Sequence, residues 1–190
     1  MTNEEDARIA NSIRASMRGD CYLTAKPSTC KTLTEVYEFF NRTFGTPGSV
    51  YYPGCDLDIT PIASFPSSKV ILLDINKKAV EALKRNGIEA IEGDARAYRP
   101  KDLHDLLILL NSGIKSKDAT PALKIGGYVI SNDWHGNTTQ LLECPHEFDF
   151  KGILGKKDGL LDLMSDQRSR QVLAKTNPFF NLYAFFQKIQ

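Results

Sequence analysis

The amino-acid sequence predicts an α/β chain folded as a three-layer sandwich around a mostly parallel sheet. Two observations carry this expectation. Short β-rich runs alternate with helical stretches from residue 49 onward. Two of those runs, Val70-Ile-Leu-Leu73 and Leu106 to Leu110, are apolar at every position, the pattern of strands covered on both faces. Strand alternating with helix gives βαβ units joined by right-handed crossovers.

The first 46 residues read as helical. Ile9, Ile13 and Met17 recur every four residues, with Ala7 and Ala10 beside them, as one apolar stripe. A second helix is predicted from Thr32, where Thr32-Leu-Thr-Glu35 fits a capping box. Its Leu33, Val36, Tyr37, Phe40 and Phe44 share a face, and Gly45 with Pro47 ends it. Strand one is Val50-Tyr-Tyr52, strand two Val70 to Leu73, strand three Glu89-Ala-Ile91, strand four Leu106 to Leu110 and strand five Tyr128-Val-Ile-Ser131. Asn76 is placed to cap a helix that carries Val80 and Leu83 inward, with Lys84 and Arg85 in its last turn and Gly87 as its stop. A helix over Ser116 to Lys124 is kept short by Pro121. Beyond it, Glu147 to Leu154 and Asn181 to Ile189 are predicted strands that pair antiparallel, with a helix near Gln167 to Lys175 between them. The expected organisation is an N-terminal helical extension over 1–46 and an α/β domain over 47–190.

A chain of 190 residues is bounded to about one domain. Its 42% hydrophobic and 25% charged content excludes a chain disordered throughout. Lys and Arg number 24 against 23 Asp and Glu, so the basic surplus of a nucleic-acid binder is missing and nucleic acid is not expected as a partner. No apolar run approaches the ~20 residues of a spanning helix, so no membrane partner is expected. The acidic start Met1-Thr-Asn-Glu-Glu-Asp6 does not resemble a signal peptide, and a cytoplasmic location follows as an expectation. Cys21, Cys30, Cys55 and Cys144 are widely spaced and form no Cys-x-x-Cys pair, so free thiols and no metal site are predicted. Nothing in the sequence indicates an oligomeric state.

The chemistry concentrates at strand ends. Strand one runs into Tyr52-Pro53-Gly54-Cys55-Asp56, and strand two ends in Asp74, 20 positions after Gly54. In open α/β sheets ligands bind beyond the carboxyl ends of the strands, and a carboxylate at this spacing accepts hydrogen bonds from a ribose diol. Glu92-Gly93-Asp94-Ala95 follows strand three, and Asn111-Ser112-Gly113 follows strand four, where small polar groups suit a pocket floor. After strand five comes Asn132-Asp133-Trp134-His135-Gly136, whose Asp133 and His135 are the candidate catalytic residues. A histidine titrating near neutrality is suited to removing a proton from a hydroxyl or amine. His104 opens strand four, at the opposite end of the sheet, and is read as structural. Cys55 has no locatable His partner and is read as a small residue fitting a tight loop.

On Tyr52-Pro-Gly-Cys55, Asp74-Ile75-Asn76, Glu92-Gly-Asp94-Ala95 and Leu123-Lys-Ile-Gly-Gly127, the chain from residue 49 onward resembles the class I S-adenosylmethionine-dependent methyltransferases. The resemblance implies a Rossmann-like sheet of seven strands, the last antiparallel, with S-adenosylmethionine as cofactor and a small-molecule acceptor. It implies that Gly54, Cys55 and Asp56 contact the methionine part, that Asp74 holds the ribose hydroxyls and that Ile75 lies beside the adenine. Asp94 and Ala95 fall against the adenine edge, and Asn111 and Ser112 near the sulfonium. The sequence departs from the family's first motif, an acidic residue followed by alternate glycines. Tyr52 stands at the acidic position, Gly54 is retained, and Asp56 and Asp58 stand where the other glycines would be. A non-glycine residue in left-handed backbone costs roughly 1–2 kcal/mol, with Asp among the best tolerated. Two outcomes are therefore open. Either Asp56 or Asp58 supplies a carboxylate for the cofactor's amino group, or the fold serves without activity as a binding or regulatory module. Nicotinamide-dinucleotide binding is disfavoured, because no Gly-x-Gly-x-x-Gly follows strand one.

Overall fold

The computed structural model describes residues 22, 24–110, 112–157, 160–165 and 182–190. Eight strands form one sheet: β1 (Ser49–Pro53), β2 (Lys69–Asp74), β3 (Ile91–Glu92), β4 (His104–Leu109), β5 (Leu123–Ser131), β6 (Phe148–Lys157), β7 (Leu160–Met164) and β8 (Tyr183–Lys188). Among the described residues, five helices flank them: α1 (Lys31–Phe44), α2 (Thr60–Ser64), α3 (Lys77–Arg85), α4 (Ser116–Ala119) and α5 (Asn137–Leu142). The order across the sheet is β3-β2-β1-β4-β5-β8-β6-β7. The first five strands are mutually parallel, β8 runs antiparallel to β5, and β6 antiparallel to β8. The predicted α/β sandwich and its antiparallel end are thus present.

The strand count exceeds the expectation by one. Leu160-Leu-Asp-Leu-Met164 returns along β6 as β7, from Lys157↔Leu160 to Ile153↔Met164. The sequence pattern predicts only a helix between the two antiparallel strands, and not this one. The predicted helix near Gln167 to Lys175 and the stripe of Ile9, Ile13 and Met17 lie outside the described residues.

Period-two alternation sorts each strand's side chains into two cores. Val50, Tyr52, Leu106, Ile108, Ile130 and Phe185 face α1 and α3. Tyr51, Leu107, Leu109, Val129, Ala184 and Phe186 face α4 and α5. Both sets are almost fully buried, which is why the strand runs are apolar without interruption. The aromatic face of α1 belongs to this packing: Phe40 meets Phe44 at 5.4 Å, Tyr128 at 5.6 Å and Phe185 at 6.3 Å between ring centroids. Each such pair adds about 0.5–1.5 kcal/mol beyond area burial.

The Thr32–Glu35 capping box does not form. The helix starts one residue earlier, with Cys30 as N-cap and no side-chain cap. The Cys30 N–H donates instead to Thr60 Oγ1 at 2.8 Å, a tertiary acceptor that local pattern cannot reveal. At α3 the expectation holds, because Asn76 Oδ1 accepts from the Lys78 N–H at 3.1 Å. Pro121 shortens the helix after β4 as expected: α4 gives way at once to a 3₁₀ turn over Thr120–Ala122.

Candidate active site

The loop after β1 is bent back at Gly54, whose φ is 68°. A Cβ there would stand 2.8 Å from the Ser112 carbonyl oxygen, so only glycine lets the loops after β1 and β4 approach this closely. Asp56 is the one non-glycine residue with positive φ among the described residues, at 49°. The loop therefore keeps a left-handed turn where the family has glycine. The Asp56 N–H donates to Asp74 Oδ2 at 2.8 Å, and the Asn76 N–H donates to Asp74 Oδ1 at 2.7 Å. Two backbone donors thereby fix a nearly buried carboxylate at the end of β2.

Asp58 turns away from this crevice. Its Oδ1 accepts the Thr60 N–H at 2.9 Å and the Thr60 hydroxyl, and its Oδ2 accepts the Tyr52 hydroxyl at 3.1 Å. Burial, reinforced by the Asp58 charge, pushes the Tyr52 phenol far up, so it stays a neutral donor. Tyr52, at the position where the resemblance implies an acidic residue, is a core residue, and Asp58 serves the loop's own structure. Asp56 keeps an exposed carboxylate, on which the Tyr22 hydroxyl donates. Cys55 is packed in the core, and burial, then the Asp74 charge, pushes its thiol up. A thiol so held is a poor nucleophile.

A cavity of about 420 Å³ opens at the carboxyl ends of β1, β2 and β4. That is within the ~300–1,000 Å³ usual for small-molecule sites. Of the residues singled out in the sequence, it gathers Gly54, Asp74, Ile75, Asp94, Ala95 and Ser112. Ile75 is 71% exposed, an apolar side chain left bare at the rim. Ser112 Oγ is buried and has no hydrogen-bond partner. Cys55 and Asp56 are not among the residues that line the cavity. Asn111 lies outside the described residues.

Arg96, Lys115 and Asp118 also line this cavity and had not been singled out. Arg96 closes on Asp94, with Nε at 3.0 and 2.9 Å from its two oxygens and a backbone N–H at 2.9 Å. Those bonds hold the Asp94 carboxyl below its ordinary value and raise the Arg96 guanidinium. The signal available in the sequence was the short spacing of Asp94 and Arg96 on one turn.

The two candidate catalytic residues part company. Asp133 is held against α5, whose N-cap is Gly136: its Oδ1 accepts the Thr139 N–H at 2.9 Å and its Oδ2 the Thr139 hydroxyl at 2.7 Å. Gly136, in left-handed conformation, then turns the chain into the helix. His135 comes close to the cavity lining without being part of it. Its Nε2 stands 4.0 Å from where a Cβ on Gly113 would be, and Gly113 lines the cavity next to Ser112. Trp134, the residue before His135, is half exposed.

No family model matches the sequence, and no curated protein matches it. Solved structures do. The N-methyltransferase NodS from Bradyrhizobium japonicum WM9 superposes with a TM-score of 0.57 at 12% identity, over 84% of this chain and 96% of its own. The plantazolicin methyltransferase BpumL, in complex with S-adenosyl-L-homocysteine, gives 0.55 at 12% identity, over 100% of this chain and 92% of its own. A methyltransferase from Geobacter sulfurreducens gives 0.51 at 15% identity, over 100% and 98%. NodS has also been crystallised with S-adenosyl-L-homocysteine. With the strand order, the antiparallel end and the crevice at the carboxyl ends of the strands, these likenesses show that the chain has the class I S-adenosylmethionine-dependent methyltransferase fold.

Proposed function

We propose that the protein transfers a methyl group from S-adenosylmethionine to a small-molecule acceptor. The observation that carries this reading is the cavity beside Asp74. It combines a fixed carboxylate for a diol, a bare apolar side chain for a flat base, and an orphaned hydroxyl on Ser112. Those features fit the cofactor. Asp74 uses two of its roughly four lone pairs on backbone donors, which leaves acceptors for two ribose hydroxyls. Ile75 covers one face of the base, and Ala95 borders its edge. Asp94 is engaged by Arg96, so the pair presents its outer hydrogen-bonding edge to the base instead of a free carboxylate.

The cofactor, when bound, supplies an electrophilic methyl on sulfonium, so the protein's work is to position the acceptor and take up its proton. His135, at the rim beside Gly113, is the base. Asp133 holds its loop through Thr139. Cytoplasmic location is part of this reading. Among the described residues no helix is long and apolar enough to cross a membrane.

A second reading is a binding or regulatory module of the same fold without activity. The engagement of Asp94 by Arg96 favours it. Calorimetric titration with S-adenosylmethionine and S-adenosylhomocysteine separates the two, and no heat of binding at millimolar ligand would sink the enzyme reading.

A further inference from the structure

The turn that borders the base side of the cavity is anchored from below by three stacked rings. Residues Asp94 to Tyr98 form a compact turn, in which the Ala97 and Tyr98 N–H groups both donate to the Asp94 carbonyl, at 2.9 and 3.1 Å. Ala95 and Arg96 of this turn line the cavity. At its end the Tyr98 ring lies on Tyr51 with centroids 4.7 Å apart and planes 28° apart. Tyr51 lies in turn against His104 at 5.3 Å and 24°. The stack closes on itself, because the Tyr98 hydroxyl is 3.2 Å from His104 Nε2. His104 is 4% exposed, and its Nδ1 is buried without a partner. A second proton on this imidazole would leave a charged N–H in that unpartnered place, which the folded stack cannot satisfy.

We infer that Tyr98 and His104 are positioning residues: neutral His104 holds Tyr98, and through it the Asp94–Tyr98 turn, in the shape that borders the cavity, and protonation of His104 releases the turn. The inference rests on the reading of this cavity as the cofactor site. The groups around His104 act in the same direction or are spoken for. The rings of Tyr51 and Tyr98 desolvate it, and Lys69 at the head of β2 opposes a positive charge. Asp102 and Asp105 on its own stretch favour protonation, yet burial outweighs them and the imidazole is held below its ordinary value. Asp105 is turned to Lys124 and Ser49.

The test is calorimetric titration of the full chain with S-adenosylhomocysteine between pH 8 and pH 5.5, for the wild type, Tyr98→Phe and His104→Phe. Tyr98→Phe removes one hydroxyl and keeps the ring, so folding is retained. Its affinity at pH 8 is expected to fall about threefold to tenfold, as the loss of one hydrogen bond allows. The wild type is expected to lose about tenfold in affinity toward pH 5.5, which corresponds to one unit of proton linkage. His104→Phe, which stacks but does not titrate, is expected to lose most of that acid dependence. His135 is a second imidazole close to the cavity lining, so the comparison with His104→Phe is decisive. An acid limb unchanged in His104→Phe, together with unchanged affinity in Tyr98→Phe, overturns the inference. A wild type that does not bind overturns the reading of the cavity itself. Hydrogen exchange of the Ala97 and Tyr98 amides in the ligand-free protein then decides the anchoring separately. Faster exchange in Tyr98→Phe than in the wild type at one pH supports it, and equal exchange overturns it.

Discussion

Asp56 stands in left-handed backbone, φ 49°, and from there gives its N–H to the Asp74 carboxylate at 2.8 Å. The turn that usually needs glycine is preserved, and its product is a correctly held acceptor at the end of β2. Strain kept at such a point belongs to the site's design. Asp56→Gly relieves the strain but adds unfolded-state freedom, and the two effects nearly cancel. Asp56→Ala keeps the strain and removes the side chain that tolerates it. Urea unfolding should therefore place Asp56→Ala about 1 kcal/mol below Asp56→Gly. Equal midpoints for the two variants would show that the turn carries no strain.

Asp74 has one observed duty, accepting two backbone N–H groups, and one proposed duty, holding the ribose, and the two must be separated. Asp74→Ala leaves the N–H groups of Asp56 and Asn76 without their acceptor, which costs about 1–3 kcal/mol for each one that stays buried. A loss of binding in that variant would say little about ribose recognition. Asp74→Asn retains one acceptor and the shape. It should stay folded and bind S-adenosylhomocysteine about 10- to 100-fold more weakly, or about 1.4–2.7 kcal/mol. Unaltered affinity in Asp74→Asn, measured by calorimetry, would remove Asp74 from the ligand.

His135 and Asp133 should give opposite signatures. His135→Gln is expected to lower the methyl-transfer rate about 10²–10⁴-fold, the span of general-base catalysis, with cofactor affinity within twofold. Asp133→Ala removes the acceptor of the Thr139 N–H and hydroxyl in the first turn of α5 and should cost about 1 kcal/mol of stability. Single-turnover transfer to an acceptor, read beside thermal unfolding, checks both. A full rate in His135→Gln would end its role as base.

The sequence shows the sheet plainly and the site less so, for a physical reason. Val70 to Leu73 and Leu106 to Leu110 declare buried strands because both faces must be apolar. Gly54, Asp74, Asp94 and Ser112 are legible because strand ends in this topology converge on one crevice. What escaped depends on partners distant in sequence. β7 was hidden because its stability comes from pairing with β6, while its own run is short and broken by Asp162. The start of α1 depends on Thr60, 30 residues away. The division of labour between Asp133 and His135 depends on which of them the helix N-terminus captures, and both are polar residues in one short turn. Arg96 escaped because a carboxylate after a strand is read for the ligand before it is read for its neighbour.

Asp105 ties the starts of three strands together and should set part of the acid limit of stability. Its Oδ2 accepts the Ser49 N–H at 2.8 Å and the Ser49 hydroxyl at 2.9 Å, and its Oδ1 pairs with Lys124. Burial alone would raise its carboxyl, but the bonds from Lys124 and Ser49 outweigh burial and hold it below its ordinary value. The folded state therefore binds its proton less readily than the unfolded chain. The stabilisation is full above the unfolded carboxyl's pKa of about 3.9 and is lost as the pH falls through the lower folded value. Asp105→Asn should thus be less stable than the wild type by about 1 kcal/mol near pH 7, with part of the loss discounted because the pair is partly exposed. The gap should narrow below about pH 4. Urea unfolding of both proteins at pH 7 and pH 3 checks this, and a gap that is constant with pH would show that the Asp105 charge contributes nothing to the join.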